Sequence, residues 1–295
     1  MDPDLAFAVW SGERRRRIED VLDRALTFDA GVPRTLVEAV RYAVLGGGKR
    51  IRPLLAYAAG EVVQADPIAV DGMAAAVEMI HGYSLAHDDL PCMDNDVLRR
   101  GKPTCHVAFG EAMALLAGDA LQAHAFATIA QVPIHDAGAA CLLLAESAGA
   151  PGMAGGQAID LAHVGRPMSN DELTHMHRMK TGALIRAAVR LGAACGRALA
   201  VEETAALDAY AKAAGLAFQV VDDVLDVEGS AATLGKTAGK DIAHNKPTYV
   251  TLLGLAPAKQ HASQLQDEAH AALAPFGNSA RRLHEIADWI ARRDR

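Results

Sequence analysis

His87-Asp88-Asp89-Leu90-Pro91-Cys92-Met93-Asp94-Asn95-Asp96 sets four carboxylates between Asp88 and Asp96, directly after an apolar run. A second cluster, Asp222-Asp223-Val224-Leu225-Asp226, follows another apolar run 134 residues later. Carboxylates embedded in apolar helical sequence are costly unless something compensates them. Two such clusters predict two facing walls that hold divalent metal. That arrangement suits a substrate carrying diphosphate, because magnesium prefers oxygen ligands and often binds jointly with substrate phosphates.

The second cluster is the simpler one. Asp222 and Asp226 are i,i+4, Asp223 and Asp226 are i,i+3, and Gln219 sits three residues before Asp222. On a helix these spacings share a face. The competing reading is a solvated helix end, but flanking Val220, Val221, Val224 and Leu225 favour a buried helix. In the first cluster, Asp88 and Asp94 lie six apart, about 120° around an ideal helix. Pro91 removes a backbone donor between them, so the inserted residues can return Asp94 to the side of Asp88. A calcium loop is a poor match: the alternating acidic positions, central glycine and terminal glutamate are absent. An acidic surface loop is the remaining alternative.

Basic residues complete the pattern. Arg99-Arg100 follow the first cluster, and Gly48-Lys49-Arg50-Ile51-Arg52-Pro53 places positive charge at a helix start. Lys49 and Arg52 are three apart and can share a face. Arginine gives bidentate phosphate contacts, and lysine a compact charge. Gly46-Gly47-Gly48-Lys49 lacks the spacing and the Ser/Thr of a Walker A loop. Alone it reads as a surface turn; beside two acidic clusters it reads as a phosphate site. His81, seven residues before Asp88, projects in nearly the same direction and can donate to a diphosphate. His175 and His177 are two apart, so they do not make a zinc site on one helical face. His87 and His106 are equally unconvincing as metal ligands.

The chain is 51% hydrophobic but only 4% aromatic, which favours close-packed helices over sheet. A net charge of -7 argues against a general nucleic-acid binder. No secretory signal is evident and no clean apolar run is long enough for stable membrane insertion. Cys92, Cys105, Cys141 and Cys195 form no CxxC pair, so free thiols and a cytoplasmic location are expected. Helical patterns run over about 3–29, 33–45, 51–63, 67–89, 108–130, 136–148, 170–199, 202–227, 258–274 and 278–292. Residues 95–105 read as a loop, 149–156 as loose chain and 228–247 as a polar lid or loop. Ser169 to Glu172 matches a capping box. The expected fold is one all-α domain over residues 1–295.

Together these pieces resemble the trans-isoprenyl diphosphate synthases, and most nearly bacterial farnesyl diphosphate synthases (geranyltranstransferases). The likeness rests on GGGKRIRP (46–53), IHGYSLAHDDLPCMDNDVLRRGKPTCH (80–106), GGQAIDL (155–161), KTGALIRAAV (180–189), GLAFQVVDDVLDV (215–227) and LGKTAGKD (234–241). It implies an isoprenoid synthase fold, a bundle of roughly ten or more helices around a central cavity. It also implies a homodimer and magnesium, about three ions with substrate bound, with manganese as the alternative. Asp88 and Asp94, with Asp89, would hold metal on the allylic diphosphate. Asp222 would hold a further ion, with Asp223 and Asp226 supporting or ligating it. Arg99 would contact the allylic diphosphate. Lys49, Arg52, His81 and Arg100 would hold isopentenyl diphosphate. Lys180, Thr181, Gln219 and Lys236 would line the allylic site, and Lys246 would assist lid closure.

The implied reaction is head-to-tail prenyl transfer with no protein nucleophile. Val97 stands where the family often has aspartate, which tunes the loop while Asp88 and Asp94 remain. Tyr83 and Ser84 lie about one turn below the metal site, and a bulky Tyr83 would form the cavity floor. An aromatic there, with the two-residue insertion in the first motif, points within the family to a C15 product, ahead of C20 and C10. A terpene cyclase would not need Lys49, Arg52, His81 and Arg100. A non-catalytic prenyl-binding subunit would be expected to lose aspartates from one cluster, and both are kept.

Overall fold

The computed structural model describes residues 3–228 and 247–293. Its first part comprises α1 (Pro3–Ala25), α2 (Arg34–Val44), α3 (Ile51–Val62) and α4 (Pro67–Asp88). A minimal antiparallel hairpin follows, β1 (Leu98–Arg99) with β2 (Lys102–Pro103). Next come α5 (Cys105–Phe109), α6 (Glu111–Ala130), α7 (Ala137–Ala148), α8 (Met153–Ala162) and α9 (Asn170–His177). A π-helical turn (Arg178–Gly182) joins α9 to α10 (Ala183–Ala193). The rest is α11 (Val201–Glu228), α12 (Tyr249–Leu253), α13 (Leu255–Ala272), a 3-10 segment (Ala274–Ala280) and α14 (Arg281–Arg292). The fold is all-α, as expected.

Two helices carry the acidic clusters into the interior. α4 starts where Asp66 accepts from the Ile68 N–H and Pro67 takes the first helical position. Met73, Ala74, Ala75, Ala76, Val77, Met79 and Ile80 are fully buried, so the middle of this helix is covered all round. Each large side chain among them contributes about 1.5–3 kcal/mol by burial. α4 packs on α6, α3 and α10, and α11 packs along α13 and α10. The Tyr210 hydroxyl donates to the Leu283 carbonyl at 2.8 Å and ties α11 to α14.

Several boundaries differ from the sequence reading. The stretch expected to be loose becomes helix at Met153. The helix expected over 170–199 is broken by the π-turn and ends at Ala193. Gly110, at φ 86°, separates α5 from α6, where one helix was expected. α6 meets the length and composition of a membrane-crossing helix, a test that core helices also pass. A third of that window is buried inside the molecule. The Ser169–Glu172 capping box is present, with both reciprocal bonds.

Candidate active site

The first acidic wall is the frayed end of α4. The helix stops at Asp88, and the chain turns through Leu90–Asp94 around Pro91. The turn closes when the Asp94 N–H donates to the Asp88 carbonyl at 2.8 Å, so the insertion does return Asp94 to Asp88. Burial, and to a lesser degree Asp94, pushes the Asp88 carboxyl up to about 6, while Lys180 opposes the shift. Asp88 thus lacks full cationic compensation. Asp89, expected as a metal ligand, instead has both oxygens engaged by Arg99, at 2.6 to 3.0 Å. The Asp89 side chain is 3% exposed and orients Arg99 at the rim.

The second wall is regular helix. Asp222 is the partly exposed member, while Asp223 and Asp226 are buried. Asp223 Oδ2 accepts from the Tyr249 N–H at 2.8 Å and so fixes the start of α12. Asp222 Oδ1 lies 3.0 Å from Nη2 of Arg293, a residue the sequence reading did not single out.

The π-turn stands between the walls. It widens the helix at Lys180 and Thr181, a distortion common at functional sites. Thr181 Oγ1 donates to Gln219 Oε1 at 2.8 Å, which joins the turn to α11. Lys180 Nζ donates to Asp160 Oδ2 at 2.6 Å. Gly156 permits this approach: a Cβ there would lie 2.2 Å from the Lys180 backbone nitrogen. Asp160 was legible only as an acidic residue three after Gln157 in GGQAIDL, and no role had been read for it. His177 is buried and stacked on Tyr249, while His175 is exposed, so the pair is not a metal site. Burial pushes His177 down to about 4.

The basic group assembles behind the first wall. His81 is held well below the usual histidine range, first by burial and then by Arg52, Arg100, Arg99 and Arg50. It is a neutral donor or acceptor among cations. Burial also pulls Arg52 down, against the attraction of Glu78 and Asp222. Lys49 Nζ lies 5.8 Å from the Phe218 ring centroid, so the Gly-rich turn faces α11. Arg50 points away. It donates to Glu78 (2.6 Å), Glu19 (2.7 Å) and the Val44 carbonyl (2.7 Å), and braces the turn from inside. The spacing that put Lys49 and Arg52 on one face had left Arg50 off it.

A cavity of about 370 Å³ runs from the first wall along α4 and α8. Asp88, Lys180 and Thr181 contribute polar groups, and Met93, Met153, Ala154, Ala158 and Leu161 contribute apolar lining. Tyr83, Ser84 and His87 line it on α4. The Tyr83 ring packs edge-on to His87 at 5.7 Å. Lys236, Lys246 and most of the stretch read as a lid lie outside the described residues. Among the described residues, no three His, Cys, Asp or Glu side chains converge as a preformed metal cluster.

The polyprenyl synthetase family profile matches residues 33–275. The chain belongs to the polyprenyl synthetase family. A probable farnesyl diphosphate synthase of Bradyrhizobium diazoefficiens is 48% identical over 94% of this chain and 85% of its own length. The farnesyl diphosphate synthase of Escherichia coli is 48% identical over 88% and 90%. The solved apo FPP/GFPP synthase of Zymomonas mobilis is 41% identical, with a TM-score of 0.88 over 97% and 99%. Family membership and the isoprenoid synthase architecture therefore agree with what the motifs implied.

Proposed function

We propose that this protein is a magnesium-dependent prenyltransferase that makes C15 farnesyl diphosphate. It would condense isopentenyl diphosphate head-to-tail with dimethylallyl diphosphate, then with geranyl diphosphate. The observation that carries this reading is the apolar cavity that opens beside Asp88 and Lys180, with Tyr83 in its lining. The names of the relatives support the same activity.

The donor set fits a hard divalent cation. Asp88, Asp94 and Asp222 offer only carboxylate oxygens, and the raised Asp88 pKa marks an incompletely compensated charge. Magnesium, with manganese as the alternative, would withdraw electron density from the leaving diphosphate. Asp89 would orient Arg99 toward the allylic diphosphate. Asp223 and Asp226 would support the second wall. Lys49, Arg52, His81 and Arg100 would hold isopentenyl diphosphate. Lys180 would meet the leaving group, and the Thr181–Gln219 pair would present neutral dipoles to the developing allylic cation. Lys236 and Lys246 would join from the segment outside the described residues. The allylic C–O bond breaks, the alkene of isopentenyl diphosphate forms the new C–C bond, and a proton passes to the departed diphosphate. The protein contributes orientation, charge stabilisation and exclusion of water.

We further infer one catalytic domain over residues 1–295, a cytoplasmic location and a homodimer. Exposed Val107, Leu115, Leu116 and Leu142 on α5, α6 and α7 favour a partner copy on that side. The test is incubation with magnesium, labelled isopentenyl diphosphate and separate allylic primers. A dominant C15 alcohol after dephosphorylation, from both dimethylallyl and geranyl primers, is expected. C20 or C10 as the main product would overturn the chain length, and no condensation by folded protein would favour a non-catalytic prenyl-binding subunit. Tyr83→Ala is expected to shift product beyond C15. An unchanged product distribution would remove Tyr83 as the floor.

A further inference from the structure

Arg293, the residue after α14, reaches back into the second acidic wall. Its side chain is only 1% exposed. Nη2 lies 3.0 Å from Asp222 Oδ1 and also donates to the Phe218 carbonyl. The guanidinium carbon stands 3.8 Å from the Phe218 ring centroid. Nε and Nη1 are buried without a hydrogen-bond partner. Burying a guanidinium with two unsatisfied donors is costly, and the compensation here is an aromatic face, one carbonyl and one carboxylate. That carboxylate is the most exposed aspartate of the α11 cluster, the one that faces the open side of the wall.

We propose that Arg293 is a built-in counter-cation for Asp222, which it neutralises in the empty enzyme and yields when a metal-bearing diphosphate arrives. The inference rests on the reading of Asp222 as a metal ligand. The physical argument is competition for one oxygen. A guanidinium and a divalent ion cannot both approach Asp222 Oδ1 at contact distance without strong repulsion. The apparent metal affinity of this wall is therefore lowered by the fraction of molecules in which Arg293 holds the carboxylate. Lys180, beside the first wall, is bonded to Asp160, whereas Arg293 holds Asp222 directly. Metal would thus reach the α11 side only when diphosphate supplies enough attraction to displace the arginine.

The bland alternative is that Arg293 only clamps the end of α14 to α11. Titration of manganese into the full chain saturated with inorganic pyrophosphate separates the two, with bound ions counted by electron paramagnetic resonance. Arg293→Gln removes the charge. Arg293→Met removes it too but keeps a side chain that can pack on Phe218. Both are expected to tighten the weakest class of manganese sites about 3- to 10-fold, and Arg293→Lys is expected to stay near wild type. Asp222→Asn is the reference and is expected to lose one ion. Unchanged or weaker manganese binding in both uncharged variants, with the ion still lost in Asp222→Asn, would overturn the counter-cation role and leave a clamp. Retention of every ion by Asp222→Asn would overturn the metal reading of Asp222, and this inference with it.

Discussion

The two acidic walls use similar residues in opposite ways. On α4 the helix is broken so that Asp94 can return to Asp88, and the adjacent Asp89 is spent on Arg99. On α11 the helix is unbroken, Asp222 faces outward, and the adjacent Asp223 is spent on the Tyr249 N–H. In each wall, adjacent aspartates thus take different partners, and one of the two holds structure. Adjacent aspartates on a helix point about 100° apart, and burial decides which one needs a protein partner.

The strongest way to break this comparison is to neutralise the two available carboxylates. Asp88→Asn and Asp222→Asn are each expected to lower kcat by about 10³-fold in steady-state assays, with little loss of fold. Their neighbours should behave differently. Asp89→Ala frees Arg99 and is expected to raise the allylic KM about 10-fold while bound-metal stoichiometry is kept. Asp223→Ala leaves the Tyr249 N–H unsatisfied and is expected to cost about 1–3 kcal/mol of stability, read by urea unfolding. Equal kinetic losses in all four variants would erase the division between ligands and supports.

A pH effect probes the surroundings of the second wall. His177 stacks beneath Tyr249 and is buried, with Asp160 and Lys180 acting on it. Its pKa drops from the ordinary 6.5 to about 4 on folding, mainly through burial. The unfolded chain therefore binds more protons between those values, so stability falls as pH drops through that window and levels off below it. The loss is on the order of 3 kcal/mol, and His177→Phe should remove it. Chemical denaturation of both proteins at pH 7 and pH 4.5 measures the difference. Identical pH dependence in the two would show that His177 is not the buried titrating group.

Much of this architecture was legible. The apolar runs before both clusters made α4 and α11 predictable, and Pro91 announced the break that returns Asp94. Lys180, Thr181 and Gln219 came through the family likeness, and the structure brings Thr181 and Gln219 into hydrogen-bond contact. What was hidden depends on tertiary partners. Alanine-rich helices with little polar contrast blur their own ends, which is why α8 and the π-turn were missed. Asp160, Arg293 and the Arg50–Glu78 pair gain meaning only from residues distant in sequence. Arg50 and Arg52 stand two apart; spacing set Arg52 with Lys49, but only the fold shows that Arg50 braces the turn.

The most direct test is a crystal structure with manganese and a non-hydrolysable allylic thiodiphosphate, read by anomalous scattering. The account predicts manganese peaks bridging the diphosphate to Asp88 and Asp94 on one side and to Asp222 on the other, with Asp89 still on Arg99. Manganese confined to one wall, or coordinated by Asp89 in place of Asp88, would contradict it.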